Sequence, residues 1–345
     1  MTNTLISLRA SEKATPEVWL SILVPVYQVE SYLKACAESV LVQADEGVEI
    51  VFVDDASTDG SPSILAQLLT SHPHRVRVLR HDRNKGISAA RNTLLHAAHG
   101  NYIWFIDSDD LLEPNAISEL KAIVQATSPD LIMCDFKRFE SEASRYLHSR
   151  HIASFQGPQA SRQRDRDTLL TGLFKSGQLH PWSKVIRATC WPPTLRFPVG
   201  RIFEDLTVYP RLALHVETFV HAPKTWVAYR QRPGSALSEL SEKHIEDWME
   251  ALVDYPKDLT QWASELVPDT QFEIAHFCTR TFVRAAKRQS RLKKSVTSDW
   301  LPRFVDKWQR SSPLSYPELL KIYFIRGYWL RALQLAYWMY LVKKP

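Results

Sequence analysis

Tyr102-Ile-Trp-Phe-Ile-Asp107-Ser-Asp109-Asp110 joins an apolar run to three carboxylates within nine residues. A short apolar run bounded by polar residues reads as a strand buried on both faces, the kind found in parallel sheets. Open sheets of that kind bind ligands outside the carboxyl ends of their strands. Three acids delivered there repel one another unless a cation or hydrogen bonds compensate them. Mg²⁺ and Mn²⁺ prefer oxygen ligands and commonly use one or two carboxylates plus substrate phosphates. The bland alternative is that Asp109 or Asp110 caps the helix that follows.

Outward from this stretch the same alternation recurs. Ser21–Tyr27 (SILVPVY), Val48–Val53, Val76–Leu79 and Asp130–Phe136 read as further strands. Between them, Leu33, Cys36, Ala37, Val40 and Leu41 keep helical spacing, a helix starts after Asp59-Gly60-Ser61, and another runs from Ser88 to a stop at Gly100. Strands separated by helices predict an α/β fold with a parallel sheet covered on both faces. Ile50-Val-Phe-Val-Asp54-Asp55-Ala-Ser57-Thr-Asp59-Gly60-Ser61 is a second strand ending in acids. A carboxylate there suits a base N–H or a ribose hydroxyl, while Ser57 and Asp59 suit turn and cap duty. Asp82-Arg83-Asn84-Lys85-Gly86-Ile-Ser88-Ala-Ala-Arg91-Asn92 gathers three cations around a loop and helix start, or is simply a solvated charged loop. Lys137–Asp167 is polar and reads as loops with a hairpin, and Thr168–Arg232 mixes short helices and strands. Beyond Pro233 the pattern is helical to the end.

Composition narrows the chemistry. The 345 residues are 45% hydrophobic and 23% charged, which excludes a wholly disordered chain. Only 10 are glycine, and neither GxGxxG nor GxxxxGK[ST] occurs, which argues against a glycine-rich phosphate loop. Net charge is +5, and from Arg280 onward the only acids are Asp299, Asp306 and Glu318, against fifteen lysines and arginines. A basic, aromatic tail points to nucleic acid, an anionic membrane surface or a phosphorylated substrate. Cys36, Cys134, Cys190 and Cys278 form no CxxC pair, so a reducing cytoplasm is the simplest setting. The first residues lack the apolar core of a signal peptide. The most apolar stretch, Tyr323–Val342, carries Arg326 and Arg331. Lys321, Arg326 and Arg331 step by about 140° on a helical wheel. They spread round a single helix, which fits a packed helix as well as an interfacial one.

Taken in order, these motifs resemble the family-2, GT-A-type inverting glycosyltransferases of bacterial surface polysaccharide synthesis: capsule, O-antigen and teichoic acid decoration. The resemblance is strong over Leu20–Pro114 and continues in His180-Pro-Trp-Ser-Lys184, in Arg196–Asp205 and in Tyr229-Arg230-Gln-Arg232. It implies a GT-A Rossmann-like, mostly parallel sheet with an added helical C-terminal region. Residues 1–19 would be an extension, 20–140 the nucleotide-sugar half, 141–232 the acceptor half and 233–345 the basic helical region. Pro25, Tyr27 and Asp55 would line the base and ribose pocket, with Arg83, Lys85 and Arg91 near the base or diphosphate. Asp107 and Asp109 match the DXD motif, with Asp109 on Mn²⁺ or Mg²⁺, Asp107 second to it and nearer the ribose, and Asp110 beside the nucleotide-sugar. Glu204-Asp205 matches the catalytic ED pair, Asp205 being the general base, and Lys184, Arg230 and Arg232 would stabilise the leaving diphosphate or position the acceptor. Pro210 requires the helix after Asp205 to be short or kinked. The QxxRW motif of processive members is missing, which favours transfer of a single sugar by a hexosyltransferase-type enzyme. The implied partners are a nucleotide-sugar donor, mostly UDP-linked in the family, and a glycan or lipid-linked saccharide acceptor. An anionic membrane surface is the further expectation and nucleic acid is not, which puts the protein in the cytoplasm or peripherally on the inner face of its membrane.

Two other classes compete. Haloacid-dehalogenase phosphatases also carry a DxD at a strand end, but at the start of the fold and followed by Thr or Val. Here Asp110-Leu111 follows, on the fourth strand. A non-catalytic module binding membrane or nucleic acid through the tail would not need the acidic strand ends.

Overall fold

The computed structural model describes residues 17–140, 150–231, 240–260, 266–293 and 299–343. Most of the N-terminal extension lies outside them, as does Arg232. Leu20–Val26 (β1), Val48–Asp54 (β2), Val76–Arg80 (β3) and Tyr102–Phe105 (β4) run parallel in the order β3-β2-β1-β4. All four lie within a residue of the expected strands. Every residue of β1 and β2 is buried, because helices cover both faces. Leu20, Ile22 and Val24 face one core with Leu33 and Val40 of Glu30–Leu41 (α1) and Leu65 of Ser61–Ser71 (α2). Leu23, Val51 and Val53 alternate to the other face and meet Ala90 and Leu94 of Ile87–Ala97 (α3). The period of two that places one side chain up and the next down is thus used on both sides.

Beyond β4 the sheet continues in mixed directions. Its further strands are Leu111–Leu112 (β5), Leu131–Phe139 (β6), Arg150–Ile152 (β7), Lys184–Arg187 (β8) and Phe219–Arg230 (β9). The order from β4 is β8-β6-β9-β5, with β8 antiparallel to its neighbours and β6 parallel to β9. β7 pairs antiparallel with the end of β6, the hairpin expected within Lys137–Asp167. Ala116–Thr127 (α4), Arg166–Ser176 (α5) and Glu204–Ala213 (α6) complete this half. Pro210 lies inside α6, which is only ten residues long. A proline there has no N–H to give and crowds the carbonyl four residues back, so the short helix is what its position allows.

The C-terminal region is helical as expected: Glu242–Glu250 (α7), Tyr255–Asp258 (α8), Pro268–Lys293 (α9), Trp300–Ser311 (α10), Tyr316–Ile325 (α11) and Trp329–Lys343 (α12). These helices are not an appendage. Phe282, Trp308, Tyr323 and Trp338 belong to the same buried cluster as Leu23, Val51 and Phe105 of the sheet. One expectation needs correction. Tyr323–Val342 is not a single helix, because Gly327 adopts φ +75 and ends α11. Tyr328 N donates back to Tyr323 O at 2.8 Å, closing the helix with a six-to-one bond that favours glycine. A wheel drawn through Lys321, Arg326 and Arg331 therefore spans two different axes.

Candidate active site

A cavity of about 670 Å³ opens at the carboxyl ends of β1, β2 and β4, where the strand order reverses. Its wall holds Pro25 near the end of β1 and Tyr27 just after it, Asp55 after β2, and Asp107 and Asp109 after β4. Asp55 is buried and builds the adjoining loop: it accepts from Lys85 N at 2.9 Å and Gly86 N at 2.8 Å, and pairs with His81 Nδ1 at 2.6 Å. Gly86, at φ +85, turns this loop into α3. Ser57 and Asp59 do the turn and cap work their types suggest. Ser57 Oγ accepts from Gln28 N at 3.2 Å, and Asp59 accepts from Glu30 N at 2.9 Å and Ser61 N at 3.0 Å.

Arg91 of α3 is the hub of the site. Its guanidinium is 4% exposed, donates to Asp107 Oδ1 at 3.0 Å and pairs with Glu204 Oε1. Burial opposes its charge, but Glu204, Asp107 and Asp205 outweigh burial and hold it protonated above its ordinary value. The ion pair locks the β4 end to the start of α6, so two motifs far apart in sequence share one cation. Burial also raises the Asp107 carboxyl, with Arg91 pulling it down and Asp109 pushing it up. Glu204 is raised by burial, pulled back by Arg91 and raised again by Asp205.

Asp205 differs from its neighbour. Burial raises it too, but the hydrogen bond and charge of His180, with Arg91 behind, hold it below the ordinary carboxylate range. His180 Nδ1 stands 3.3 Å from Asp205 Oδ2, and Leu206 N donates to Oδ1 at 2.8 Å. His180 in turn stacks on Trp182, centroids 4.9 Å apart, and Trp182 stacks on Tyr229 at 5.5 Å. Two stacked rings therefore back the imidazole that holds Asp205. One carboxylate of the pair is committed to Arg91, and the other faces the cavity ionised.

The remaining expected residues divide. Arg230 reaches the cavity, its Nε donating to Asp109 O at 2.9 Å and its guanidinium lying over the rings of Tyr32 and Phe139. Asp110 does not line it. Its fully buried carboxylate accepts from Arg230 N at 2.8 Å and ties β9 to the acidic turn. Lys184 is also withdrawn: it is 2% exposed, and its ammonium donates to Gln178 O, His180 O and Ser183 Oγ at 2.6, 3.0 and 3.0 Å. Burial pulls it down to about 7, and its place is beneath the turn that carries His180. Arg83 and Lys85 are exposed and do not line the cavity, with Lys85 Nζ 2.8 Å from Asp82. Arg232 lies outside the described residues.

Five residues of the wall carried no signal as site residues in the sequence. His180 stood in a quoted motif, yet only its distance to Asp205 gives it a role. Phe203 and Trp248 stack at 5.1 Å and 14°, forming an aromatic wall two residues from Asp205. Phe203 is held at φ +59, a conformation that costs a bulky residue energy and recurs at functional sites. From α9, Arg280 and Arg284 also reach the wall.

The donor set fits a divalent ion in one mode. Among the described residues no group of three or more His, Cys, Asp or Glu side chains converges on a point. Asp109 and Asp107 offer one or two hard oxygens, which suits an ion completed by phosphate and water.

The family model for Glycosyl transferase family 2 matches residues 21–184. Glycosyltransferase GlyA of Streptococcus pneumoniae serotype 4 is 32% identical over 242 residues, 68% of this chain and 33% of its own length. This chain thus spans about a third of that relative. S. aureus TarS 1–349 in complex with UDP-GlcNAc has a TM-score of 0.52 at 17% identity, covering 78% of this chain and 83% of that one. Mannosyltransferase PcManGT from Pyrobaculum calidifontis, in complex with GDP-Man and Mn²⁺, also reaches 0.52, at 14% identity over 96% and 87%. Both likenesses are of fold, the GT-A arrangement of the sheet described above.

Proposed function

Through residues 21–184 the chain belongs to glycosyl transferase family 2, and we propose that it moves one sugar from a nucleotide-sugar to a hydroxyl of a glycan or lipid-linked acceptor, inverting the anomeric carbon. The observation that carries this is Asp205, ionised and aimed by His180 in the same cavity as Asp107 and Asp109. In this reading the donor base and ribose lie along Pro25, Tyr27 and Asp55. Tyr27, 48% exposed, offers a ring face to the base. Arg230 stands by the diphosphate. Asp109, with Asp107 beside it, would hold a Mn²⁺ or Mg²⁺ ion that compensates the charge of the leaving diphosphate.

Asp205 takes the proton of the acceptor hydroxyl as its oxygen bonds to the anomeric carbon. The bond from that carbon to the diphosphate oxygen breaks on the opposite face, and the electron pair leaves with the nucleoside diphosphate. Arg91 contributes by keeping Glu204 occupied and the β4 end in place, a preorganised charge that needs no rearrangement during the reaction. TarS in complex with UDP-GlcNAc supports UDP-sugars as the first donors to test, and PcManGT with GDP-Man supports GDP-sugars as the second. A thermal-unfolding panel of nucleotide-sugars tests the reading, since a bound donor stabilises the fold by mass action. Stabilisation by one nucleotide-sugar that EDTA removes is expected; protection by none of them would overturn it.

The Asp205–His180 pair sets a pH dependence. Because Asp205 titrates below the ordinary carboxylate range, its base form survives mild acid, and turnover falls only as pH passes below that depressed value. His180→Gln removes what favours the charged form, so the acid limb of kcat should move to higher pH. An unchanged limb would separate His180 from the base.

We also propose that the chain rests on a membrane surface through α12. No helix among the described residues is long and apolar enough to cross a bilayer. Yet α12 is apolar on both sides. Ala332, Leu335 and Trp338 are buried, while Trp329, Leu330, Leu333, Tyr337 and Tyr340 are 60, 75, 63, 53 and 63% exposed. Those five fall within about 100° of one another on the helix, a single stripe of the aromatic and aliphatic types favoured at the lipid interface. Leu330→Glu with Leu333→Glu should abolish co-flotation with phosphatidylglycerol vesicles and leave soluble nucleotide-sugar binding intact. Unaltered flotation would refute this role for α12.

A further inference from the structure

The positive excess of the C-terminal region resolves into two sets once folded. Much of it is neutralised across the helices: Lys293 meets Glu242 at 2.8 Å, Arg303 and Lys307 meet Glu246 at 3.0 and 2.6 Å, and Arg310 meets Asp254 at 2.8 Å. The other set lies on α9. Arg280, Arg284, Lys287, Arg288 and Arg291 occupy a sector of about 100° and run over three turns, about 16 Å of helix. Among the described residues none of the five is within ion-pair distance of a carboxylate. Arg284, Lys287, Arg288 and Arg291 are exposed, and Arg280 is half-buried with its Nε lacking a hydrogen-bond partner. Burial, Arg284 and Arg331 of α12 disfavour the charge on Arg280, against a smaller favourable effect of Glu273. Like charges held together without ion pairs cost free energy, and an anion relieves it.

The stripe has a direction. Arg280 and Arg284 line the same cavity as Asp205 and the stacked Phe203 and Trp248 rings. Lys287, Arg288 and Arg291 continue outside it. The donor motifs Asp55, Asp107 and Asp109 come from the sheet and not from α9.

We propose that the α9 stripe binds phosphate groups carried by the acceptor, so that the substrate sugar reaches Asp205 while its anionic part lies along the helix. This rests on the transferase reading above and adds to it the chemical class of the acceptor. The phosphate can belong to one diphosphate linking sugar to lipid or to a repeating phosphodiester chain. The 16 Å length of the stripe exceeds one diphosphate and favours the chain.

The test uses the full chain and three probes: a synthetic oligo(glycerol phosphate), a short polyprenyl diphosphate and an uncharged oligosaccharide, titrated calorimetrically at low and high salt. The variants are Arg284→Gln, the triple Lys287→Gln/Arg288→Gln/Arg291→Gln, and Lys321→Gln as an exposed charge off the stripe. The phosphodiester oligomer should bind more tightly than the oligosaccharide, weaken with salt, and lose about tenfold or more in affinity in the triple variant and little in Lys321→Gln. Binding of the polyprenyl diphosphate, weakened by Arg284→Gln and not by the triple, would support the proposal with lipid diphosphate as the source. Equal binding by wild type and all variants, no preference over the uncharged oligosaccharide, or loss of nucleotide-sugar affinity in the triple variant would overturn it. Nucleotide-sugar binding to the wild-type chain is measured alongside, so its failure marks the transferase reading and not the stripe.

Discussion

Asp205→Asn should cut turnover on the order of 10²–10⁴-fold, the usual contribution of a positioned general base, and leave nucleotide-sugar affinity near wild type. The amide keeps the shape of the carboxylate and its acceptor contact to Leu206 N, so α6 should still start where it does. What it loses is basicity, on the one carboxylate of the pair that is held ionised and free of Arg91. Glu204→Gln is the discriminating partner. Glu204 is paired with Arg91, and its loss should loosen the tie between α6 and the β4 end instead of removing the base. Calorimetric donor affinity and single-turnover transfer, measured on both variants, separate the roles. Full turnover in Asp205→Asn with a dead Glu204→Gln would assign the base to Glu204.

Asp109→Ala should remove metal-dependent donor binding and reduce transfer to background while the fold persists. One carboxylate lost from a site with at most two leaves a Mg²⁺ or Mn²⁺ ion poorly held. The backbone is spared, because Arg230 Nε bonds the main-chain oxygen of residue 109, which alanine retains. Donor titrations with and without Mn²⁺, beside a thermal melt of the apo variant, check this. Near-normal, Mn²⁺-dependent affinity in a folded variant would contradict the assignment of Asp109.

The N-terminal, parallel half of the sheet was legible because its signals are local. The all-buried strands β1 and β2, the acids at the ends of β2 and β4 and the helical spacing of α1 each sit within a dozen residues. Roles that depend on tertiary placement were not. Asp109 and Asp110 are adjacent, yet only Asp109 reaches the cavity, since Asp110 turns inward to Arg230 N. Lys184 matched a motif of cations, but three carbonyl and hydroxyl acceptors keep it below the His180 turn. Arg280 and Arg284 looked like any helical arginines until α9 packed against the sheet-facing core and brought them to the cavity. The positive excess of the tail likewise sorts only once the helices are packed. Acids of α7 and the following turn neutralise Lys293, Arg303, Lys307 and Arg310, while Arg280, Arg284, Lys287, Arg288 and Arg291 of α9 have no carboxylate within ion-pair distance among the described residues. Gly327 could be seen as a helix breaker, but its φ of +75 and the bond from Tyr328 are what divide α11 from α12.

The most direct measurement is the release of nucleoside diphosphate from a panel of nucleotide-sugars, with and without Mn²⁺ or Mg²⁺, with para-nitrophenyl phosphate as the control substrate. The account predicts slow, metal-dependent release of the intact nucleoside diphosphate from one donor type. It should be abolished by Asp109→Ala, with no hydrolysis of the phosphomonoester. Release of inorganic phosphate from the phosphomonoester, with every nucleotide-sugar left intact, would contradict it.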